Sequence, residues 1–365
     1  MMRSDIEALL KRPPSLIWHA GGEGVVLGTL GCVELNLNGH PFPGWSSTES
    51  RRAVADKLLP VLKALPQRRW DLCVEMKELS FEERHVLMER GQLTNTMAAR
   101  QDGVYLLVND AQDTECFIND EEHLVLQTFF PGENAVDHAL AEMQPIFEAL
   151  KEKLDVAHDS VFGYLSCDPA KSGETIFFSS LVHLPALRIS KYMTKVQHAL
   201  DEMSVYISPL FPCTGKKEWG DVYLIHSPAE LPGHMDTSLR TMKATLDALS
   251  KQEMYARAKL LEDAKTAARL KADIAAAWQN IPSSLRYKQV LEALSLLRLG
   301  LDCKLIHTDT PAHEVSELVG DLLLSTGPAY QRFSQRIHTQ RERRKCRADR
   351  LKALAQDQLH LSFNL

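Results

Sequence analysis

The order of hydrophobic patterns in this chain predicts an α+β fold, an antiparallel β-sheet flanked by helices and followed by a small all-helical domain. Three observations carry that expectation. Short apolar runs with the two-residue period of strands crowd residues 103–130 and return at 175–181 and 221–226. From residue 237 onward the pattern becomes Ala- and Leu-rich with a period of about 3.6, laced with Lys, Arg and Glu. Breakers in that part, at Pro282, Pro311 and Gly327-Pro328, divide it into several helices. The change of pattern divides the chain into a mixed part, 1–253, and a helical part, 254–365.

Each element follows from its local pattern. Val25-Val26-Leu27 is a short apolar strand, and Gly39-His40-Pro41-Phe42-Pro43-Gly44-Trp45 is a turn-rich loop. Val54, Leu58, Val61, Leu62 and Leu65 line one face of a helix over 49–65. Residues 103–108, 114–118 and 123–130 form an antiparallel meander, with 109–113 as its first turn. A long amphipathic helix covers 135–154, strands follow at 163–165 and 175–181, a helix at 189–203, and a last clear strand at 221–226. Thr339 with Glu342 three residues later is a capping box that starts the final helix at about Gln340.

Composition narrows the class of protein. With 365 residues, 44% hydrophobic and 25% charged, the chain has material for two globular domains. No run approaches the roughly 20 apolar residues that span a bilayer, and the opening residues lack the apolar stretch of a signal peptide, so a cytoplasmic protein is expected. Seven cysteines form neither a C-x-x-C pair nor a zinc-spaced cluster, which points to free thiols and no metal. The net charge of −6 is unevenly spread: nine Lys and Arg against Glu342 and Asp349 between Arg332 and Lys352 give a local +7 and leave about −13 elsewhere. Such a tail suits an anionic partner.

The most telling residues are Ile118-Asn119-Asp120-Glu121-Glu122-His123-Leu124, then Gly163-Tyr164-Leu165-Ser166, then Leu181-Val182-His183-Leu184-Pro185. In this order they resemble the phosphagen (guanidino) kinases, and across nearly the whole chain the bacterial protein arginine kinases above all. The resemblance implies a phosphagen-kinase-like catalytic domain over 1–253. It also implies, over 254–365, a domain like the phosphoarginine-binding domain of protein arginine kinases. There, Leu297-Arg298-Leu299-Gly300 is the most specific match.

Phosphoryl transfer to a guanidinium needs a carboxylate to orient and deprotonate it, and fixed cations around the triphosphate. The resemblance places the catalytic glutamate at Glu121. The family's phosphate-binding arginines fall on Leu30, Cys32, Leu35, Val125 and Phe177, its reactive cysteine on Asp168, and a further arginine and glutamate within 209–214. Each charge-assisted bond to a phosphate is worth about 1.5–3 kcal/mol, so the replaced arginines remove on the order of 10 kcal/mol of attraction. The replacements are mostly apolar, which predicts a cleft filled by side chains. Lys171, Lys216 and Lys217 are the lysines that could restore charge, and as solvated loop lysines they would look the same. Glu121 also reads as a carboxylate of the common kind on an exposed strand edge or loop, and His123 and His183 read as structural histidines with satisfied ring nitrogens.

In the tail, Arg343, Arg347 and Arg350 share one helical face, a fork suited to a dianionic phosphoryl group or simply a solvated basic surface. The family's Arg-Asp-x-x-Arg-Ala motif for phosphoarginine corresponds to Arg343-Arg344-Lys345-Cys346-Arg347-Ala348, with Arg344 in place of the aspartate. The resulting expectation is a catalytically inactive homologue, a pseudokinase without cofactor. Its partner would be an arginine-phosphorylated protein or an active protein arginine kinase, with a homodimer also open to it. Membrane and nucleic acid are not expected partners. The alternative is an active ATP:guanidino phosphotransferase using Mg-ATP in a rebuilt site, and a third reading is a ligand-free scaffold.

Overall fold

The structure, a computed structural model, describes residues 2–12, 14, 24–65, 69–211, 220–227 and 235–364. The first half of the chain lays down α1 (Ser4–Leu9), β1 (Val26–Leu35), α2 (Thr48–Lys63), β2 (Trp70–Glu75), α3 (Phe81–Glu89), α4 (Asn95–Ala99), β3 (Tyr105–Asn109), β4 (Thr114–Ile118), β5 (Leu124–Pro131) and α5 (Ala135–Lys153). Then come β6 (His158–Asp159), β7 (Gly163–Tyr164), β8 (Ile176–His183), α6 (Pro185–Ile189), α7 (Met193–Glu202), β9 (Tyr206–Pro209) and β10 (Val222–His226). The helical part holds α8 (Met235–Glu262), α9 (Ala264–Ile274), α10 (Tyr287–Asp302), the short β11 (Ile306–His307), α11 (Ala312–Thr326), α12 (Gln340–Ala353) and β12 (Ser362–Phe363).

Eight strands form one sheet in the order β2-β3-β4-β5-β1-β8-β10-β9. Its β2–β5 portion is the antiparallel meander, with Leu107 opposite Cys116 and Cys116 opposite Leu126. Every residue of β4 is buried, whereas β1 and β5 alternate buried and half-buried positions toward one end. Period-two alternation therefore gives β1 two distinct faces. Thr29, Gly31, Val33 and Leu35 are buried; Leu30, Cys32 and Glu34 are half-buried on the other face. At Gly31 α5 packs against the strand with no room for a side chain, since a Cβ there would lie 2.7 Å from Met143 Cγ and 3.2 Å from Ala139 Cβ.

Two compact units divide the chain differently from its composition. The first comprises Met1–Ser15, Thr29–Ser179 and His226–Met242; the second comprises Leu16–Gly28, Ser180–Ile225 and Lys243–Leu365. Residue 253 falls inside the unbroken helix α8.

Several elements differ from the sequence expectation. The strand at Val25–Leu27 extends as far as Leu35, and the helix expected over 189–203 starts only at Met193, set off from α6 by a turn at Lys191, whose φ is +61°. At 163–165 the strand shrinks to a two-residue pairing with β6. The final helix begins as expected: Thr339 Oγ1 accepts from the Glu342 N–H at 3.2 Å and donates to its carboxylate at 2.6 Å.

Candidate functional site

Within the first unit, the half-buried face of β1 and the segment 119–123 bring together most of the positions singled out by sequence. Asn119 takes a left-handed φ of +59° and its amide donates to the Arg51 and Gly103 carbonyls at 2.8 and 2.7 Å. A bond of 3.0 Å from its N–H to the His123 carbonyl closes the turn. The turn leaves Glu121 exposed and turns Glu122 and His123 inward. His123 is fully buried, accepts from the Leu37 N–H at Nδ1 and faces the Pro41 carbonyl through Nε2, both at 3.0 Å. Both ring nitrogens are satisfied only if the ring is neutral with its proton on Nε2, and burial lowers its pKa accordingly.

Glu122 is the structural hub of the segment. Its carboxylate accepts from Ser166 Oγ at 2.5 Å, from the Cys167 N–H at 3.1 Å to both oxygens, and from the Asn36 amide. Asn36 in turn accepts from the His123 N–H at 2.9 Å, so β1, the 119–123 turn and the 165–167 loop are tied by one network. Glu121, by contrast, makes no hydrogen bond or ion pair among the described residues. Asp120 is 4% exposed; burial pushes its carboxyl up to about 6, against a 2.8 Å bond from Thr94 Oγ1.

The positions that the family resemblance assigns to arginine lie as follows. Leu30 and Cys32 are half-buried on the same face of β1, Val125 is half-buried on β5, and Phe177 is half-buried on β8. Leu35 is 2% exposed on the opposite face of β1, away from the other two β1 positions. Lys171 stands beside these residues with its Nζ 3.1 Å from a Glu34 oxygen and 5.6 Å from the Phe177 ring centre. Burial works against the Lys171 charge, but Glu34 outweighs it and raises the lysine's pKa. Burial also raises Glu34, with Glu122 and Glu121 adding to the effect and Lys171 opposing it.

Glu34 lies outside the residues that the resemblance assigns, and its only sequence signal is that it continues the two-residue steps from Leu30 to Cys32. Asp168 is exposed and spends its carboxylate on the Ala170 N–H at 3.0 Å, capping a short turn. Burial and Glu122 push the neighbouring Cys167 thiol up to about 12, so it is no nucleophile near neutral pH. Among the described residues no group of His, Cys, Asp and Glu could hold a metal ion, and no helix is long and apolar enough to cross a membrane. The segment 212–219, with Lys216 and Lys217, lies outside the described residues.

The second unit places the remaining candidates. His183 is fully buried with Nε2 3.0 Å from Ser295 Oγ, while its Nδ1 has no hydrogen-bond partner, so only one ring nitrogen is satisfied. Burial, reinforced by Arg298, Arg257 and Arg188, holds its pKa well below the usual value. Ser295 donates to Asp221 at 2.6 Å, and Asp221 pairs with Arg188. Arg347 is 5% exposed; its Nε donates to the Thr326 carbonyl at 2.7 Å and its guanidinium lies 5.8 Å from the Tyr287 ring centre. Arg343 donates to the Ile337 and His338 carbonyls at 2.8 and 2.6 Å, and Arg350 is exposed.

Comparison with known proteins identifies the family and the fold. Residues 54–256, more than half of the chain, match the family model described as ATP:guanido phosphotransferase, C-terminal catalytic domain. A protein-arginine kinase of Halothermothrix orenii is 27% identical over 306 residues, which are 83% of this chain and 86% of that protein. The protein-arginine kinase of Clostridium novyi is 24% identical over 281 residues, 77% of this chain and 81% of that one. Among solved structures, the duplicated taurocyamine kinase of Schistosoma mansoni aligns with a TM-score of 0.56 at 16% identity, covering 72% of this chain and 38% of its own. Lombricine kinase aligns at 0.54 and 17% identity, covering 68% and 72%. These structural likenesses concern the fold.

Proposed function

Because the chain belongs to the ATP:guanido phosphotransferase family, we propose that it is a non-catalytic member, a homologue of protein-arginine kinases that binds or regulates a partner instead of transferring phosphate. The observation that carries this reading is the pairing of Lys171 with Glu34 among Leu30, Cys32, Val125 and Phe177. A triphosphate needs several uncommitted cations, whereas among the described residues the ammonium at this face, Lys171, is already paired with Glu34. On this reading the described residues of this face do not fit Mg-ATP.

The partner we favour is an arginine-phosphorylated protein, or an active protein arginine kinase, recognised through the tail. Arg343 and Arg350 are the groups that would meet a phosphoryl anion, with Arg347 anchoring α12 to the end of α11 through Thr326. A second reading, a working protein-arginine kinase with a rebuilt nucleotide site, has one observation in its favour: Glu121, the residue at the catalytic position, is exposed and uncommitted.

The test combines transfer and binding. Incubation with Mg-ATP and an arginine-rich protein should leave the protein unphosphorylated, and phosphoarginine should bind with an affinity that falls in Arg350→Ala. Arginine phosphorylation that disappears in Glu121→Gln would establish the second reading. Absence of both transfer and phosphoarginine binding would leave the tail without the role proposed for it.

A further inference from the structure

His183 closes β8 wholly buried, and its two ring nitrogens meet different surroundings. Nε2 lies 3.0 Å from Ser295 Oγ, whose single hydrogen goes to Asp221 at 2.6 Å. Ser295 can therefore only accept from the ring, which puts the ring proton on Nε2 and leaves Nδ1 as a bare lone pair. Among the described residues no group donates to that nitrogen. An acceptor buried without a donor carries its full desolvation penalty, so the site calls for a partner.

A cavity of about 30 Å³ lies beside the ring, within the second unit. His183, Ser295 and Arg298 form its polar wall, and Val222, Leu291 and Leu323 belong to its apolar one. A water needs roughly 10–15 Å³ of such space and at least two polar partners, so the volume suits a water and excludes any larger ligand. The wall then selects among small occupants. A guanidinium only donates, so Arg298 can hold an acceptor, while Nδ1 requires a donor. Water is both. A halide could accept from Arg298 but would need a protonated His183, and burial together with Arg298, Arg257 and Arg188 opposes that charge. A metal cation could take the Nδ1 lone pair, but the described residues of the wall include no carboxylate to balance it beside Arg298.

We propose that this cavity binds one ordered water, which donates to His183 Nδ1 and accepts from Arg298. The water holds the ring in its neutral form with the proton on Nε2. Through that proton the Ser295 hydroxyl is kept turned to Asp221, which pairs with Arg188. One hydrogen-bonded run thus ties α10 to β8 and α6.

Measurements on the full chain test it. Proton–nitrogen correlation spectra of the histidine rings at neutral pH should show His183 protonated on Nε2 alone. A crystal structure fine enough to resolve waters should show one peak about 2.7–3.2 Å from Nδ1. That peak should give no anomalous signal after a bromide soak, and it should be lost in His183→Leu. A proton on Nδ1, an empty cavity, bromide at the site, or a peak that persists in His183→Leu overturns the proposal. The spectra and the first crystal are those of the native chain, so a variant that fails to fold does not shield the proposal from them.

Discussion

At the residue scale, the 119–123 segment is mostly structural chemistry with one carboxylate left over. His123 and Glu122 are fully committed to bonds that hold β1 and two loops, while Glu121 is not. Asp120 carries a pH dependence that can be measured. Its folded pKa of about 6 lies above its ordinary 3.8, so between those values the folded protein binds a proton that the unfolded chain has released. Stability contributed by protonated Asp120 is present at acid pH and is lost as pH rises through about 6, by an amount up to about 3 kcal/mol. Asp120→Asn keeps an acceptor for Thr94 without the charge. Its melting temperature should therefore rise relative to the native chain as pH goes from 4 to 7, and parallel pH profiles would contradict this assignment.

At the scale of elements, sequence periodicity was readable where packing is local and unreadable where it is not. The meander was legible because its strands are adjacent in the chain and flanked by turn residues. The extension of β1 was not: Gly28, Gly31 and Glu34 break its apolar pattern, and the pairing comes from β5 and β8, remote in sequence. The Glu34–Lys171 pair joins residues 137 apart, beyond the reach of any local pattern. The tail match at Leu297–Gly300 has a steric basis, since a Cβ on Gly300 would fall 2.5 Å from Ile306 Cδ1. Gly300→Ala should cost about 1–3 kcal/mol through overpacking. Much of that loss should return in the double variant with Ile306→Ala, whose smaller side chain makes room, although Ile306→Ala alone is destabilising. A purely additive double-variant cycle in thermal or denaturant unfolding would refute this contact as the reason for the glycine.

At the scale of the whole molecule, the chain has the fold of a guanidino phosphotransferase, with Leu30, Cys32, Val125 and Phe177 half-buried on β1, β5 and β8 and Lys171 paired with Glu34. The family framework was legible in the sequence because turn and core residues such as Asn119, His123 and Gly300 have geometric jobs independent of catalysis. The tail was only partly legible. Spacing alone set Arg343, Arg347 and Arg350 on one face, but it could not tell that Arg347 is buried against the Thr326 carbonyl.

Calorimetric titration of the full chain with Mg-ATP is the most direct test of the idea that this cleft no longer accommodates a triphosphate. The account predicts no saturable heat, in the native chain and in Lys171→Ala alike. Saturable binding that weakens in Lys171→Ala would contradict it.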